Sequence, residues 1–236
     1  PLVSTDYQQH DVSVDRIDAH QIEGLEPIQL TFINGVFAPA LSDASFPSGL
    51  EVTAMRDAKD GRKDLMLEHL GSYSDHEHHA FNALNTSYFK DGAFITVSKN
   101  TELERPVRIL NLSTGSQQAS NARNLILLEE HASAEFIAQY AGQQNEGAFT
   151  NALSEIVVKQ GARGSFYLIQ DEGDQAAQIN TTQIVQERDS TFSVVTITKS
   201  GKLVRNNLNF EVRGEGCMSN MYGIYFTGGR QHVDNH

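Results

Sequence analysis

The chain has 236 residues and a formal net charge of −12, with 30 acidic and 18 basic residues. This charge argues against nucleic acid or an anionic membrane as the main partner, because both require clustered lysine and arginine. Apolar and charged fractions of 39% and 20% are typical of a soluble globular protein. No apolar run approaches the ~20 residues that a membrane-spanning helix needs.

The cysteine content and the first residues favour a cytoplasmic protein. Cys217 is the only cysteine in the sequence, which excludes an internal disulfide framework and an all-cysteine metal site within the chain. The opening sequence Pro1–Asp6 shows no basic segment followed by an apolar one, as a signal peptide would. We therefore expect a cytoplasmic location.

Residues 1–80 are expected to form a small α/β amino-terminal region. Apolar residues in 28–33 predict a strand, and the pair Asn34-Gly35 predicts a tight hairpin turn after it. The short apolar pair Val36-Phe37 would return along that strand. Alternation of apolar residues in 50–54 predicts one further strand.

Two short helices are predicted between this region and the rest of the chain. Residues 64–70 carry leucines between acidic ends, which suits a short helix. A second helix is predicted over residues 79–89, with Phe81 and Leu84 on one face and Tyr88 one turn further on.

From residue 93 onward the apolar periodicity becomes two, which is typical of β-strands. The segment 207–213 is the clearest case: Leu208, Phe210 and Val212 are expected to face inward, and the residues between them to face water. Few helical windows interrupt these strands, so ordinary strand–helix–strand units are not expected.

A strand–turn–strand unit recurs in this half of the chain. The predicted turns lie at residues 132–134, 162–164, 189–191 and 215–217. The small residues that close them, Ala134, Gly164, Thr191 and Cys217, are 30, 27 and 26 residues apart. A single unit cannot bury its apolar face alone, so successive units are expected to stack as a parallel β-solenoid. An antiparallel sandwich built from hairpins is the alternative.

Residues 81–236 are therefore assigned to the solenoid, and we expect this solenoid to be incomplete. A last solenoid turn exposes unpaired backbone groups and an apolar cross-section, so it needs a cap. Residues 227–236 show no cap. We expect the natural protein to continue beyond His236, although a homodimer stacked end to end would solve the same problem.

Two polar segments have the residue types of a metal or acid–base site. His76, Glu77 and His78 could bind zinc or iron, since imidazole and carboxylate suit those ions, but polar residues are also favoured where a loop enters a helix. The segment Asp171–Asp174 could hold paired carboxylates or calcium, but it lacks a repeat of oxygen ligands. We expect a helix start in the first case and a solvated loop in the second.

Four further residues remain as candidates. His232, Asp234 and His236 alternate, so on a strand they would share one face and could converge on a metal, although an exposed polar face is the simpler interpretation. Cys217 occupies the small-residue position of its turn, where a structural role is the default. The chain carries no phosphate-binding loop, nucleophile elbow or zinc-protease motif, so no residue is assigned a catalytic, cofactor-binding or metal-binding role.

Several segments together resemble a known family. They are Phe81–Asn85, Asp91–Val97, Glu104–Val107, Gly214–Cys217, Tyr222-Gly223 and Gln231–His236. In this order and spacing they resemble the SufB/SufD family of iron–sulfur cluster assembly proteins. Phe32–Phe37 and Leu50–Val52 resemble the amino-terminal region on the SufD side of that family, and the single cysteine favours the same side.

The resemblance implies a right-handed parallel β-helix and a scaffold function. It implies partners: SufB, and the ATPase SufC, which would hydrolyse ATP, so the chain itself would not be an enzyme. It implies no cofactor bound by this chain alone, with an iron–sulfur cluster forming transiently at the level of the complex. The segments that contact SufC and SufB are expected beyond His236.

Two other functions remain open from the sequence. One is a secreted β-helix enzyme that acts on carbohydrate, which would need acidic or basic residues clustered along one face; no such cluster is evident. The other is a purely structural β-solenoid. A secretory leader would favour the enzyme, whereas helices at the carboxyl end would favour the SufD side of the family.

Overall fold

A computed structural model describes residues 17–115, 118–142 and 147–236. In these ranges the chain is mainly β-structure. The strands are β1 (Ile28–Ile33), β2 (Val36–Phe37), β3 (Leu50–Ala54), β4 (Ala93–Val97), β5 (Val107–Ser113), β6 (Ala119–Leu128), β7 (Ser133–Gly142), β8 (Phe149–Val158), β9 (Arg163–Asp171), β10 (Ala177–Gln186), β11 (Thr191–Thr198), β12 (Leu203–Val212), β13 (Met218–Tyr225) and β14 (His232–Asn235). The helices are α1 (Asp60–His69) and α2 (Ala80–Tyr88), with 3₁₀ turns at Pro39–Leu41 and Met55–Asp57.

The strands form two sheets that face each other. One sheet has the order β2-β1-β5-β7-β9-β11-β13, and the other has the order β3-β4-β6-β8-β10-β12-β14. Successive strands of the chain alternate between the sheets from β4 onward, so each pair of strands makes one turn of a parallel β-solenoid with about five turns. The predicted solenoid is confirmed, and the antiparallel sandwich is wrong.

The core lies between the two sheets, where side chains at matching positions of successive turns stack on one another. Ile126, Ile156 and Ile184 are aligned in neighbouring strands, and all three are fully buried. Leu208 and Phe210 of β12 pack against this core, as the alternation predicts. Val212 is instead 53% exposed, because β14 pairs only with the first four residues of β12.

One corner of every turn contains a residue in the left-handed backbone conformation. These residues are Asn100, His131, Gly161, Asp189 and Gly216, with φ between 57° and 72°. The N–H groups of Asn100, His131, Gly161 and Asp189 each donate to a carbonyl in the next turn. Asparagine, aspartate and glycine tolerate this conformation best, so the column marks the repeat better than the small residues do.

The first two predicted turns are displaced. Strands β7 and β9 begin at Ser133 and Arg163, so the chain reverses at residues 130–131 and 160–161, before the predicted turns at 132–134 and 162–164. The small residues that guided the prediction mark the start of the next strand, where space is limited, and not the turn itself.

The amino-terminal strands are part of the same sheets. The hairpin of β1 and β2 forms at Asn34-Gly35 as predicted, and β1 also pairs in parallel with β5. Strand β3 forms as predicted and pairs antiparallel with β4. Helix α1 begins at Asp60, four residues before the expected start.

Helix α2 forms where the sequence predicts it, but amide side chains attach it to the sheet. Phe81 and Tyr88 are 43% and 58% exposed, whereas Asn82 and Asn85 are buried. The Asn85 side-chain amide donates to the carbonyls of Ala122 (2.9 Å) and Asn151 (2.8 Å) on the outer face of the second sheet. The backbone of two neighbouring strands is thereby bonded to one helix side chain.

The loop between the helices is held by a buried carboxylate. Glu155 of β8 accepts backbone N–H groups from Gly71 (2.8 Å), Tyr73 (3.1 Å) and Ser74 (2.9 Å). Its charge is balanced by Arg123 of β6 at 2.6 Å, and neither side chain is exposed. The Arg123 guanidinium also donates to the Asn85 side chain, so loop, helix and sheet share one network.

We predict that Glu155→Ala destabilises the protein by about 3–5 kcal/mol, because it leaves the Arg123 charge buried without a partner. The free energy of unfolding in urea measures this loss. Glu211→Ala is the matched control, since Glu211 is half-exposed and paired with Arg213 on the surface; its loss should be below about 1 kcal/mol. Equal losses in the two variants would show that the buried network does not stabilise the fold.

Candidate functional site

The outer face of the last turns collects the candidate residues from the carboxyl end. In β14, Val233 and Asn235 align with the inward-facing Val204 and Asn206 of β12. His232, Asp234 and His236 therefore share the outer face, as their alternation predicts. The Asp234 carboxylate pairs with Arg205 of β12 across the strands, at 3.2 Å.

A groove of about 330 Å³ lies between this outer face and the start of helix α2. Its lining includes His78, His79, Phe81, Thr181, Arg205 and His236. Two histidine segments that are more than 150 residues apart in the sequence thus meet on one surface. The helix reaches this position because the buried carboxylate of Glu155 holds the loop that precedes it.

Two charged groups at the groove already have partners. Arg205 pairs with Asp234, and Asp75 is bonded within its own segment. The Asp75 carboxylate accepts the backbone N–H groups of Glu77 (3.0 Å) and His78 (2.9 Å), and lies 3.0 Å from the His78 ring. The His78 backbone hydrogen bond is the main cause that lowers the pKa of Asp75 below its ordinary value. As predicted, these polar residues precede the start of helix α2.

The groove does not have the donor set of a metal centre. Within the described ranges of the chain, no three His, Cys, Asp or Glu side chains converge in a way that could hold a metal ion. His78 and His79 are largely exposed, and Arg205 places a cation among the remaining groups.

Cys217 lies on a corner of the solenoid, directly before β13. Its thiol donates to the carbonyls of Glu187 (3.0 Å) and Gly214 (3.4 Å), and Ser190 lies 3.7 Å away. These contacts bind one corner to the preceding one. They are the contacts of a small structural side chain, which is the role the sequence favours.

The solvated loop expected at Asp171–Asp174 is wrong, because Asp171 ends strand β9, Glu172 and Gly173 are buried, and only Asp174 is exposed. Glu172 is 3% exposed, and its side chain points into the solenoid. Its Oε1 atom accepts hydrogen bonds from Ser113 (2.5 Å) and Thr150 (2.6 Å). Burial raises the pKa of Glu172 to about 7, although these two hydrogen bonds act in the opposite direction.

A neighbouring glycine makes room for the backbone here. Gly142 follows the residue that pairs with Asp171, so it lies next to Glu172, and a Cβ atom on it would come within 2.7 Å of the Glu172 carbonyl oxygen. The inward position of Glu172 also follows from β9, where Phe166, Leu168 and Gln170 are buried at every second residue. Continued alternation is the signal that could have located it.

Sequence comparisons match nearly the whole chain to one family. The SufBD protein N-terminal region matches residues 3–109, and the SufBD core domain of SUF system FeS cluster assembly matches residues 111–236. The chain belongs to the SufBD family. The resemblance seen in the sequence is confirmed at this level, and assignment to the SufD side stays a prediction.

Three relatives of this SufBD chain illustrate the match. An iron–sulfur cluster assembly SufBD family protein of Synechocystis is 26% identical over 88% of the chain and 48% of the relative. The chloroplastic protein ABCI7 of Arabidopsis thaliana is 23% identical over 95% of the chain and 50% of the relative. The iron–sulfur cluster assembly protein SufB of Bacillus subtilis is 25% identical over 73% and 37%. The chain spans about half the length of the first two relatives.

The buried ion pair joins the two matched regions of this SufBD chain. Gly71–Ser74 and Asn85 belong to the N-terminal region, whereas Arg123 and Glu155 belong to the core domain. The groove is also lined by residues of both regions. His78 and His79 belong to the N-terminal region, and Arg205 and His236 belong to the core domain. The helices and the solenoid of the described chain are thus fixed together by buried polar bonds.

We predict that the contribution of Glu172 to stability falls as the pH rises from about 4.5 to about 7, because the folded state raises the pKa of Glu172 and so favours its protonated form. Tyr140, whose pKa is also raised by burial and then by Glu172, is the neighbouring titratable group. The rise in the pKa of Glu172 corresponds to a change of roughly 3 kcal/mol in the free energy of unfolding. Glu172→Gln should remove this part of the pH dependence and raise the urea midpoint at pH 8.

The matched control is Asp174→Asn, which changes an exposed carboxylate in the same loop. Urea unfolding of both variants and the parent protein between pH 5 and pH 8 measures the effect. Identical pH profiles for the parent and Glu172→Gln would contradict the proton-binding role of Glu172.

Proposed function

We propose that this chain is a scaffold subunit on the SufD side of the SUF iron–sulfur assembly machinery, which pairs with SufB and with the ATPase SufC. The observation that carries the proposal is the match to both SufBD regions over residues 3–109 and 111–236. The parallel β-solenoid agrees with it, since stacked strands provide a long rigid surface.

The exposed surface of the last turn supports a role in protein contacts. Strand β13 and the residue after it leave six apolar side chains at least half exposed: Met218, Met221, Tyr222, Ile224, Tyr225 and Phe226. Large apolar side chains that are exposed in this number along one edge favour burial against protein. Further solenoid turns of the family or a partner subunit would both provide that cover.

In this proposal, no chemical step is catalysed by this chain. ATP hydrolysis would reside in SufC, and the iron–sulfur cluster would be a transient cargo of the complex. Both the groove and the buried network are built from hydrogen bonds that fix structure, which fits a non-catalytic subunit. We propose a cytoplasmic location, in line with the match to the SUF assembly family. Among the described residues, no helix has the length and apolar character of a membrane span.

The family match favours this function over a secreted enzyme that acts on carbohydrate. A purely structural solenoid differs from the proposal only in its partners, so partner capture separates the two.

We predict that the full-length gene product captures both SufB and SufC of the same organism. Affinity capture from purified components, with stoichiometry by light scattering, measures this. A tagged solenoid protein of unrelated sequence is the control for nonspecific capture. If the full-length product captures neither protein, the scaffold assignment fails.

A further inference from the structure

A second pocket lies at the corner of the solenoid opposite the left-handed residues. It has a volume of about 540 Å³ and is formed by the loops that follow β9, β11 and β13. The residues that line this corner pocket are Asp174, Gln175, Lys202 and Gly228–Gln231. None of them lines the groove beside helix α2, so the two sites are separate.

The loop after β13 is held in one shape by Gln231. The Gln231 backbone N–H donates to the Gly228 carbonyl (3.2 Å), and the Gln231 side-chain oxygen accepts the Gly228 N–H (2.9 Å). The side-chain amide of Gln231 also donates to the Asp174 carboxylate in the loop after β9 (2.9 Å). One side chain therefore fixes the glycine loop and gives the acidic residue of the pocket a partner.

Lys202 and Arg230 are cations without an acidic partner. Both side chains are exposed, and neither forms an ion pair or a side-chain hydrogen bond in the described part of the chain. The neighbouring Lys199, by contrast, pairs with Asp171 at 2.6 Å. Two unpaired cations at one pocket, in a chain with a net charge of −12, indicate local attraction for anions.

The glycine loop adds backbone donors to these cations. Gly229 has a φ of 59°, which glycine adopts readily, and the N–H groups of Gly229 and Arg230 meet no acceptor among the described residues. A Cβ atom added to Gly228 or Gly229 would find no other atom within 4 Å, so this side of the pocket is open. Backbone N–H groups in such turns are common partners of bound anions.

The chemistry of these groups indicates which anion fits. The guanidinium of Arg230, the ammonium of Lys202 and the two N–H groups are all donors, so a metal cation would be repelled. A phosphate ester carries about two negative charges at neutral pH and three acceptor oxygens, which matches two cations and the adjacent N–H groups. A pocket of this volume also has room for the organic part of a small ester.

We propose that the corner pocket binds a phosphate group, either free or carried by a small ester, through Lys202, Arg230 and the N–H of Gly229. Gln231 is a positioning residue, because it holds the glycine loop and the Asp174 carboxylate in place. The site does not rest on the proposed function, since every group that forms it belongs to this chain.

Calorimetric titration of the intact protein tests the proposal, at constant ionic strength and at about pH 8, where the phosphate is fully ionised. The probes are glycerol 3-phosphate, inorganic phosphate and succinate. We expect saturable binding of the phosphates and weaker binding of succinate. Lys202→Ala and Arg230→Ala should each raise the Kd for the phosphates roughly tenfold, because each removes a charge-assisted hydrogen bond. The tighter of the two phosphates shows whether the ligand is an ester or the free ion.

Lys63→Ala and Arg163→Ala are the matched controls, since they remove the same charges from exposed positions outside the pocket. They should change the Kd by less than about twofold, because distant surface charges are screened. Urea midpoints close to that of the parent protein confirm that the variants fold. The proposal is overturned if no phosphate binds saturably, if the controls weaken binding as much as the pocket variants do, or if succinate binds as tightly as the phosphates.

Discussion

Parallel, in-register pairing of the strands is the constraint on which the rest of the structure depends. Because each inward position lies directly above its equivalent in the preceding turn, apolar side chains stack on apolar ones and amides on amides. The interior side chains therefore form columns along the solenoid. The residues of each column must either pack on one another or form hydrogen bonds. Isoleucine and phenylalanine columns pack without polar partners, whereas the column of Gln170 and Thr198 closes its own hydrogen bonds. At Glu172 the hydrogen bonds come from two other columns, because Ser113 and Thr150 both donate to its Oε1 atom.

On the outer face of the second sheet, one buried ion pair holds the neighbouring segments in place. Glu155 and Arg123 lie in adjacent strands, and together they hold the loop and helix α2 against the second sheet. A buried pair of this kind contributes little net stability compared with apolar packing, but it fixes one arrangement. That arrangement connects the two regions of the SufBD family and brings His78 and His236 to one groove. The surface around the groove is therefore defined by polar bonds as much as by the solenoid.

Much of the fold could be predicted from the sequence because its signals are local. Alternation located the inward Leu208 and Phe210, and Asn34-Gly35 located the hairpin. The site was harder to predict because its contacts are distant in sequence. Glu172 lies in a segment with the composition of a turn, and its hydroxyl donors are 59 and 22 residues away. The attachment of α2 to the sheet has no sequence signal of this kind, because its Asn85 amide bonds to strand carbonyls that are distant in sequence.

A role of this SufBD chain in iron–sulfur cluster assembly can be measured in living cells. The gene is deleted in the organism that carries it, and the activity of an iron–sulfur enzyme is measured beside that of an enzyme without a cluster. If the chain serves cluster assembly, only the first activity falls, and the intact gene restores it. Unchanged iron–sulfur enzyme activity, in cells with no second copy of the gene, would contradict the claim.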